Sequence, residues 1–345
     1  MKIIQLAKEI ADKIAAGEVV ERPLSVVKEL VENAVDAGAS SIVVEIRNGG
    51  KTYIRVTDDG FGIPADELET AFLRHATSKI RSAEDLERIQ TLGFRGEALA
   101  SIAAVSRVEV VTKTADARLG MRVKFEGSQL TEKGEVGCPD GSTFVVTDLF
   151  YNTPARLKFM KKEAAESSLI IDFISKMALA YPHIRFRMIN GDSVLFSTNG
   201  KGNLYQNILT IFSRDLADHL LSAEAEKEGM TLQAWLSPPE NSRSNRKYQI
   251  FFVNGRWVNS RLLEAAVKDA YAEKMPEGRH PVAFLFLEMD PARLDVNIHP
   301  NKKEVRFDHE GEVRVFISEA LRRALHSQNA VGQLKGKWMF RERPV

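Results

Sequence analysis

Residues 23–37 read PLSVVKELVENAVDA, and this stretch decides how the fold begins. Its apolar residues recur at the three- and four-residue spacing of a helix: Val26, Val27, Leu30, Val31, Ala34 and Val35. Pro23 suits the first turn of a helix, and Gly38 suits the position where a helix stops. The stretch therefore predicts an amphipathic helix that packs through one apolar face.

The opposite face of this helix carries polar residues that could do chemistry. Glu29, Asn33 and Asp36 stand at positions i, i+4 and i+7, so they share one side of the helix. Taken alone, such a face is most often a solvated surface. A carboxylate can also deprotonate an attacking water, and an amide oxygen four residues on can ligate a Mg²⁺ ion that bridges phosphates. This alternative makes Glu29 the general base and Asn33 the metal ligand, with Glu32 the less favoured base.

The residues after this helix predict an α+β domain. Residues 41–47 and 53–57 are short β-branched runs joined by NGGK at 48–51, which indicates a hairpin. Residues 65–75 are predicted to form a second helix, and residues 76–98 a long connection of the kind that is usually functional. Further strands are predicted at 108–112, 120–125, 143–148, 185–189 and 194–196, with a helix at 164–180. The first domain is expected to span residues 1–200.

A second α+β domain is predicted at residues 204–328. It follows residues 199–203, NGKGN, which have the composition of an interdomain connection. Helices are predicted at 204–212, 262–274 and 313–326, and strands at 231–236, 249–253 and 282–288. Residues 329–345 lose this periodicity and are expected to be a tail or the start of a linker.

Composition limits the classes of protein that fit. The chain has 345 residues, 44% of them apolar, and a formal net charge of +1, so bulk charge gives no argument for binding nucleic acid or membranes. The single cysteine, Cys138, excludes an internal disulfide. No apolar run is long enough to span a bilayer, and the first residues are too charged for a secretory signal. A soluble, cytoplasmic protein without a membrane partner is the expectation.

A second polar cluster, DDGFGI at residues 58–63, follows the predicted strand 53–57. It is equally typical of an ordinary Asp-Gly turn. The functional alternative is that one carboxylate accepts a hydrogen bond from an exocyclic amine, while glycines such as Gly62 let a flat base approach the backbone. Such an acceptor suits adenine and disfavours the O6 of guanine.

Residues 93–99, GFRGEAL, have the order of a phosphate-binding loop, in which glycines free backbone N–H groups just before a helix. The glycine pair alone is a weak signal, and it is neither a P-loop nor a dinucleotide fingerprint. Residues 75–79, HATSK, add hydroxyls and an ammonium group to the same connection, or are simply a polar helix end.

In the second domain, residues 299–303 read HPNKK, which by itself indicates only a basic turn. The alternative is a lysine that reaches a terminal phosphate, so that the nucleotide sets the angle between the domains. Four arginines cluster loosely around residues 249–258, namely Arg243, Arg246, Arg256 and Arg261. Solvated charge is the commoner interpretation of such a cluster, and phosphate contacts with DNA are the other.

Taken in order, these segments resemble the N-terminal part of the MutL family, the DNA mismatch repair ATPases of the GHKL superfamily. The resemblance rests on residues 14–23, 28–38, 58–63, 75–79, 93–99, 148–156, 252–256 and 295–307, and it covers nearly the whole chain. Gyrases, heat-shock chaperones and histidine kinases carry different lid sequences and lack the His-Pro-x-Lys segment. This difference disfavours the alternative of a chaperone-like or topoisomerase-like member of the superfamily.

The resemblance implies a fold and a set of site residues. The first domain would be a Bergerat-type GHKL α/β sandwich with an N-terminal dimerisation arm and an ATP lid at about residues 75–99, and the second a ribosomal S5 domain 2-like fold. Glu29 and Lys302 would be catalytic, and Asn33 would ligate Mg²⁺. The implied ATP-binding residues are Asn33, Asp36, Asp58, Gly62, Thr77, Ser78, Lys79, Gly93, Phe94, Arg95, Gly96, Glu97, Ala98, Leu99 and Thr143.

The resemblance also implies a function, with ATP as substrate and Mg²⁺ as cofactor. The chain would act as an ATP-gated clamp that dimerises through its N-terminal parts and couples mismatch recognition to strand incision and removal. Its partners would be DNA, contacted by Arg261 and Arg256, the mismatch-recognition protein MutS, and a strand-incision nuclease and helicase, with association to the nucleoid through DNA. No endonuclease motif is present in this sequence. A DNA-binding scaffold that has lost hydrolysis is the rival, and the role of Asp59, where the family often has Asn, stays open.

Overall fold

The computed structural model describes residues 8–79, 96–295 and 305–326. The chain divides into two compact units. The first comprises Met1–Ala178 and Pro182–Lys201, and the second Leu179–Tyr181 and Gly202–Val345. None of the described helices is both long and apolar enough to cross a membrane.

The first unit is built on one eight-stranded sheet. Its helices are α1 (Lys8–Val19), α2 (Pro23–Asp36), α3 (Ala98–Ala104), α4 (Pro154–Phe159) and α5 (Glu163–Ala180). Its strands are β1 (Ser41–Arg47), β2 (Tyr53–Asp58), β3 (Arg107–Lys113), β4 (Gly120–Glu126), β5 (Gln129–Val136), β6 (Gly141–Thr147), β7 (Arg185–Asn190) and β8 (Ser193–Ser197). The order across the sheet is β5-β4-β3-β6-β2-β1-β7-β8, and all neighbours are antiparallel except β1 and β7.

The helix and hairpin predicted at the start of this unit are confirmed. Helix α2 buries Val26, Val27 and Leu30, which is the apolar face read from the sequence. Strands β1 and β2 pair antiparallel across a 3₁₀ turn at Asn48–Gly50. Strand β2 alternates buried and half-buried residues, which is the pattern of a sheet with one covered face.

The second unit is a five-stranded sheet covered on both faces. Its helices are α6 (Leu204–Phe212), α7 (Arg214–Ala217), α8 (Arg261–Tyr271) and α9 (Glu310–His326). Its strands are β9 (Leu221–Lys227), β10 (Met230–Leu236), β11 (Gln249–Val253), β12 (Arg256–Val258) and β13 (Ala283–Glu288), in the order β12-β11-β13-β10-β9, beside a small pair of β14 (Leu294–Asp295) and β15 (Arg306–Phe307). In β11, Phe251 and Val253 join the core under α8 and α9, whereas Ile250 and Phe252 join the core on the opposite face with α6.

The α+β class predicted for both halves is confirmed, but one predicted helix is wrong. Residues 65–75 form turns with a short 3₁₀ helix at Thr70–Phe72. In this segment only Leu68 and Phe72 are buried, one turn apart, and the ring of Phe72 stacks on Phe125 at 4.1 Å. Tertiary contacts therefore hold a single turn, and a short helix has little stability of its own.

Strands β5 and β9 were absent from the sequence prediction. Strand β5 reads QLTEKGEV with almost every residue exposed, and β9 reads LSAEAEK with a single buried residue. Both lie at the edge of a sheet. Their strand conformation depends on pairing with a neighbour, because neither carries the apolar alternation that a sequence shows.

Candidate functional site

The polar face of α2 is held against a lysine from a distant part of the chain. The ammonium Nζ of Lys79 donates to Oδ1 of Asn33 at 2.9 Å and to Oδ2 of Asp36 at 2.5 Å. The side chain of Asp36 is only 9% exposed and that of Lys79 is 21% exposed. The face is therefore not simply solvated, because its oxygen atoms converge on a partly buried positive charge.

The same face has an excess of negative charge. Burial raises the pKa of Glu32 to about 7, with Glu29 and Asp36 adding to the rise, while Lys28 and Lys79 oppose it. The ammonium Nζ of Lys28 lies 3.8 Å from Oε1 of Glu32. Strongly raised carboxyl pKa values that arise from burial and like charge are typical of functional sites. Glu29 and Asp36 are thus close enough to Glu32 to oppose its ionisation.

Asp58 lies at the end of β2 and is 8% exposed. Burial raises its pKa to about 6, although backbone N–H groups of Gly60 and Ser142 donate to it and lower the value. The bond from Gly60 to Oδ1 of Asp58 is 2.9 Å long. A buried carboxylate is suited to accept from a neutral donor such as an exocyclic amine.

The turn after Asp58 needs glycine and lies against the end of α2. Gly62 has φ +72°, and a Cβ there would lie 2.3 Å from the carbonyl oxygen of Lys113. The backbone N–H of Phe61 donates to the carbonyl oxygen of Ala37, the C-cap of α2, at 3.1 Å. The turn is therefore packed closely on both sides, and it brings Asp58 to the same region as α2.

The structure separates Thr143 from the pocket to which the sequence assigned it. The hydroxyl of Thr143 donates to Oγ1 of Thr57 at 3.1 Å. Thr57 pairs with Thr143 across β2 and β6, and the next pair along the strands is Asp58 with Ser142. Successive side chains in a strand point to opposite faces of the sheet, so Thr143 lies on the face away from Asp58. The residue of β6 that shares the face of Asp58 is therefore Ser142 and not the predicted Thr143.

Ser142 and Thr112 are the polar residues that sequence reasoning missed. Ser142 is paired with Asp58 across β2 and β6. Oγ1 of Thr112 lies 2.9 Å from the hydroxyl of Ser142 and accepts from the backbone N–H of Ile63 at 2.9 Å. Both side chains are buried. The alternation of the GST segment at residues 141–143 was the signal that could have found Ser142.

Asp59 has a structural role distinct from that of Asp58. Its Oδ1 accepts from the backbone N–H groups of Ser40 and Ser41, at 2.8 and 2.7 Å, and its Oδ2 accepts from the hydroxyl of Ser40 at 2.5 Å. Burial opposes ionisation of Asp59, but these hydrogen bonds outweigh it and hold its pKa below the usual range. Asp59 fastens the turn to the start of β1.

The described ends of the long connection meet each other. A Cβ on Gly96, at φ +61°, would lie 2.7 Å from the carbonyl oxygen of Ala76. Nδ1 of His75 lies 3.3 Å from Oε1 of Glu97. Residues 75–79 and 96–99 therefore lie side by side, and α3 begins immediately afterwards at Ala98.

Several predicted ATP-binding residues fall in this region. Thr77 and Ser78 are exposed, while Lys79, Gly96, Glu97, Ala98 and Leu99 are half-buried. Three others, Gly93, Phe94 and Arg95, lie outside the described residues, as does Lys302. Their roles stay predictions.

The residues predicted to contact DNA lie in the second unit. Arg261 is exposed and begins α8, and Arg256 is half-buried in β12. Arg246, from the same arginine cluster, is bonded to Oε2 of Glu264 at 2.6 Å. An exposed charge does not by itself indicate a function, so the DNA contacts of Arg261 and Arg256 also stay predictions.

Two family profiles match the chain. Residues 21–139 match "Histidine kinase-, DNA gyrase B-, and HSP90-like ATPase", and residues 208–326 match "DNA mismatch repair protein, C-terminal domain". The former covers α2, the Asp58 turn and Lys79, and the latter covers most of the second unit, in agreement with a GHKL ATPase fold followed by an S5-like domain.

Solved structures share this architecture. The MutL ATPase domain of Aquifex aeolicus, complexed with ADP, is 26% identical with a TM-score of 0.61, over 87% of this chain and 98% of that one. The B-subunit of DNA gyrase from Myxococcus xanthus has a TM-score of 0.58 over 92% of this chain and 95% of that one, and at 14% identity it shows the fold alone.

Curated relatives carry the closer likeness in sequence. The DNA mismatch repair protein MutL of Agathobacter rectalis is 48% identical over 92% of this chain and 49% of that protein. MutL of Symbiobacterium thermophilum is 47% identical over 94% of this chain and 51% of that protein. The chain thus spans about half the length of these relatives. It belongs to the MutL family of DNA mismatch repair proteins and covers the region that holds their GHKL ATPase domain.

Proposed function

We propose that this chain binds ATP with Mg²⁺ in its first unit, hydrolyses the nucleotide, and serves as the switching region of a mismatch repair protein. The observation that carries the proposal is the convergence of Asn33 and Asp36 on the ammonium of Lys79, on a helix face where burial raises the pKa of Glu32 to about 7. The ATPase family profile over the same residues and the ADP complex of the Aquifex relative support it.

The residues present fit a magnesium ion. Hard divalent cations prefer carboxylate and amide oxygens, and Oδ1 of Asn33 and Oδ2 of Asp36 already hold a cationic group between them. Asn33 would ligate the metal directly, as the family resemblance implies. Magnesium bound there would neutralise charge on the phosphate oxygens of the nucleotide.

Other residues of the first unit would divide the remaining tasks. Asp58 would accept a hydrogen bond from the amino group of adenine, beside the hydroxyl of Ser142. Glu29, one helical turn before Asn33 on the same face of α2, would take the proton of the attacking water. Residues 77–79 and 96–99, together with Gly93, Phe94 and Arg95, would hold the phosphates, and Lys302 would approach the terminal phosphate from the second unit.

The output of ATP binding would be a change of association. By resemblance to the family, binding would bring two copies together through their N-terminal parts, and hydrolysis would release them. DNA, the mismatch-recognition protein MutS, and the nuclease and helicase of the pathway would be the partners of this clamp. Arg261 and Arg256 would contribute phosphate contacts to DNA.

The first test is light scattering coupled to size-exclusion chromatography. Wild type and Glu29→Ala would be run with and without a non-hydrolysable ATP analogue plus Mg²⁺. A shift from monomer to dimer only with the analogue would support the clamp. A monomer under all conditions would remove dimerisation from the proposal. Release of ADP, measured on the same two proteins with ATP in place of the analogue, would then decide whether the hydrolysis itself stands or the chain is a non-hydrolysing scaffold.

A further inference from the structure

The contact between Lys79 and α2 joins two parts of the first unit that are far apart in sequence. The ammonium bonds side chains 46 and 43 residues away, at Asn33 and Asp36. The segment that presents it is constrained locally. His75 has φ +62°, and the backbone N–H of Lys79 donates to Oγ1 of Thr77 at 3.1 Å. The lysine is therefore placed on the helix face by an organised turn.

This contact places a positive charge beside a largely buried carboxylate of α2. Asp36 is 9% exposed, and both Asp36 and Glu29 raise the pKa of Glu32 on the same helix. Removing one partner of a partly buried ion pair leaves the other charge without compensation, which is strongly destabilising. The Lys79 ammonium therefore contributes positive charge that stabilises this face of α2.

The same contact is incompatible with a metal on the same oxygen. A divalent cation on Oδ1 of Asn33 would sit within a few ångströms of the ammonium, and two cations at that distance repel strongly. The Lys79 side chain is 21% exposed and is a flexible chain of four methylenes, so it can leave without unfolding the core. Phosphate oxygens of a nucleotide are the acceptors that would receive it.

We propose that Lys79 is an exchangeable counter-ion: its ammonium occupies the cation position of Asn33 and Asp36 in the nucleotide-free protein, and the arrival of metal and nucleotide together displaces it onto the phosphates. This inference rests on the proposed ATP site. It explains how residues 75–79 respond to occupancy, since their anchor to α2 is released when the site fills. The metal can replace the ammonium on α2, and the triphosphate can receive it, but neither does both. Metal and nucleotide would therefore bind together.

A double-mutant cycle measures the exchange. Lys79→Gln, Asp36→Asn and the double variant would be compared with wild type by thermal unfolding, without ligand and with saturating Mg²⁺ plus a non-hydrolysable ATP analogue. Without ligand, each single change should lower Tm by about 2–4 °C, and the double change should lower it by clearly less than the sum of the two, because both remove the ion pair between Lys79 and Asp36. With ligand, that coupling should disappear. The matched control is the cycle of Lys133→Gln and Glu69→Gln, an exposed pair at 2.6 Å that ligand should not affect.

A second measurement covers variants that bind the analogue too weakly to saturate. Binding of a fluorescent ATP analogue would be titrated with Mg²⁺ in wild type and Lys79→Gln. Since the competing ammonium is gone, the Mg²⁺ concentration for half-maximal binding should fall about tenfold, whatever the absolute affinity for nucleotide.

The outcomes separate the two proposals. The exchange would be overturned if the coupling between Lys79 and Asp36 persisted unchanged with ligand, or if the half-maximal Mg²⁺ concentration did not move. Either result would make the contact purely structural and would leave the ATP site intact. An analogue that neither binds nor stabilises wild type would instead overturn the proposed function, and the exchange with it.

Discussion

The acidic residues around α2 and those on α8 differ in how their charge is compensated. Near α2, burial raises the pKa of Glu32 to about 7 and that of Asp58 to about 6. On α8, Asp269 accepts two hydrogen bonds from Arg314, at 2.6 and 2.9 Å, and these hold the pKa of Asp269 below its usual range. Glu264 on α8 is likewise bonded to Arg246 at 2.6 Å.

The two helices look alike in sequence, since each has an apolar stripe and a charged face. Helix α8 even begins better, because the hydroxyl of Ser260 accepts from the N–H of Leu263, whereas α2 has no side-chain cap. The difference is that arginines compensate the acidic residues of α8, whereas Glu32 on α2 and Asp58 after β2 are held buried at a cost in folding free energy. A cost of this kind is what a ligand can relieve, so the unbalanced region is the one to test for function.

The largest effect is expected on hydrolysis. Glu29→Gln should lower kcat about 10²–10⁴-fold, because it removes the general base without changing the shape of the side chain. Nucleotide affinity, measured with a fluorescent analogue, should stay within a few-fold of wild type. Glu264→Gln on α8 is the matched control and should leave turnover unchanged. Full activity in Glu29→Gln would remove α2 from the chemistry.

Asp58→Asn should stabilise the protein while abolishing tight nucleotide binding. The folded pKa of Asp58 is raised from 3.8 to about 6, so the ionised carboxylate lowers the free energy of unfolding as pH rises through this interval. The variant escapes that loss. Its gain should be about 1–3 kcal/mol at pH 8 and should vanish near pH 4, as measured by urea unfolding across pH. A gain that is independent of pH would contradict the buried charge as its cause.

Arg261→Glu tests whether α8 has a function of its own. If the exposed arginine contacts a DNA phosphate, the reversal should weaken DNA binding roughly 3- to 10-fold and reduce the salt dependence of binding by about one charge. Fluorescence anisotropy over a salt titration gives both values. Lys227→Glu is the control, since it reverses an exposed charge on β9 of the same unit. Equal losses in the two variants would mean bulk charge and not a specific contact.

The smallest effect is expected from Asp269→Asn, and its sign is opposite to that of Asp58→Asn. Because the folded pKa of Asp269 is lowered, the ionised form stabilises the fold above its unfolded pKa, and this contribution is lost as pH falls through the folded value. The side chain is 35% exposed, so solvent screening limits the loss at neutral pH to about 0.5 kcal/mol. Unfolding at pH 7 and at pH 3 should show that difference shrinking. A variant more stable than wild type at pH 7 would remove the contrast between the two regions.

The sequence predicted the apolar framework well, because burial of one face imposes a period on a helix or strand. Helix α2 and strands β1 and β2 follow such periods. Residues 65–75 do not, since only Leu68 and Phe72 pack, and β5 and β9 depend on their neighbours. Local pattern does not report pairing that is decided elsewhere in the chain.

Site residues were predictable by type but not by orientation. The pattern of α2 placed Glu29, Asn33 and Asp36 on one side, because helical spacing determines this. The motif does not say which face of the sheet is inward, and successive side chains alternate between the two faces, so the residue paired with Asp58 is Ser142 and not Thr143. The bond from Lys79 to Asn33 spans 46 residues, and no spacing in the sequence indicates it.

The hydrogen bonds of Asp59 to Ser40 and Ser41 at the start of β1 do not require a carboxylate. Both backbone bonds reach Oδ1, which an asparagine also has, and the third partner is a hydroxyl, which can accept from an amide as readily as it donates to a carboxylate. Asparagine at this position would therefore keep all three contacts. A protein with either residue would hold the turn against β1, and the two would differ only in charge.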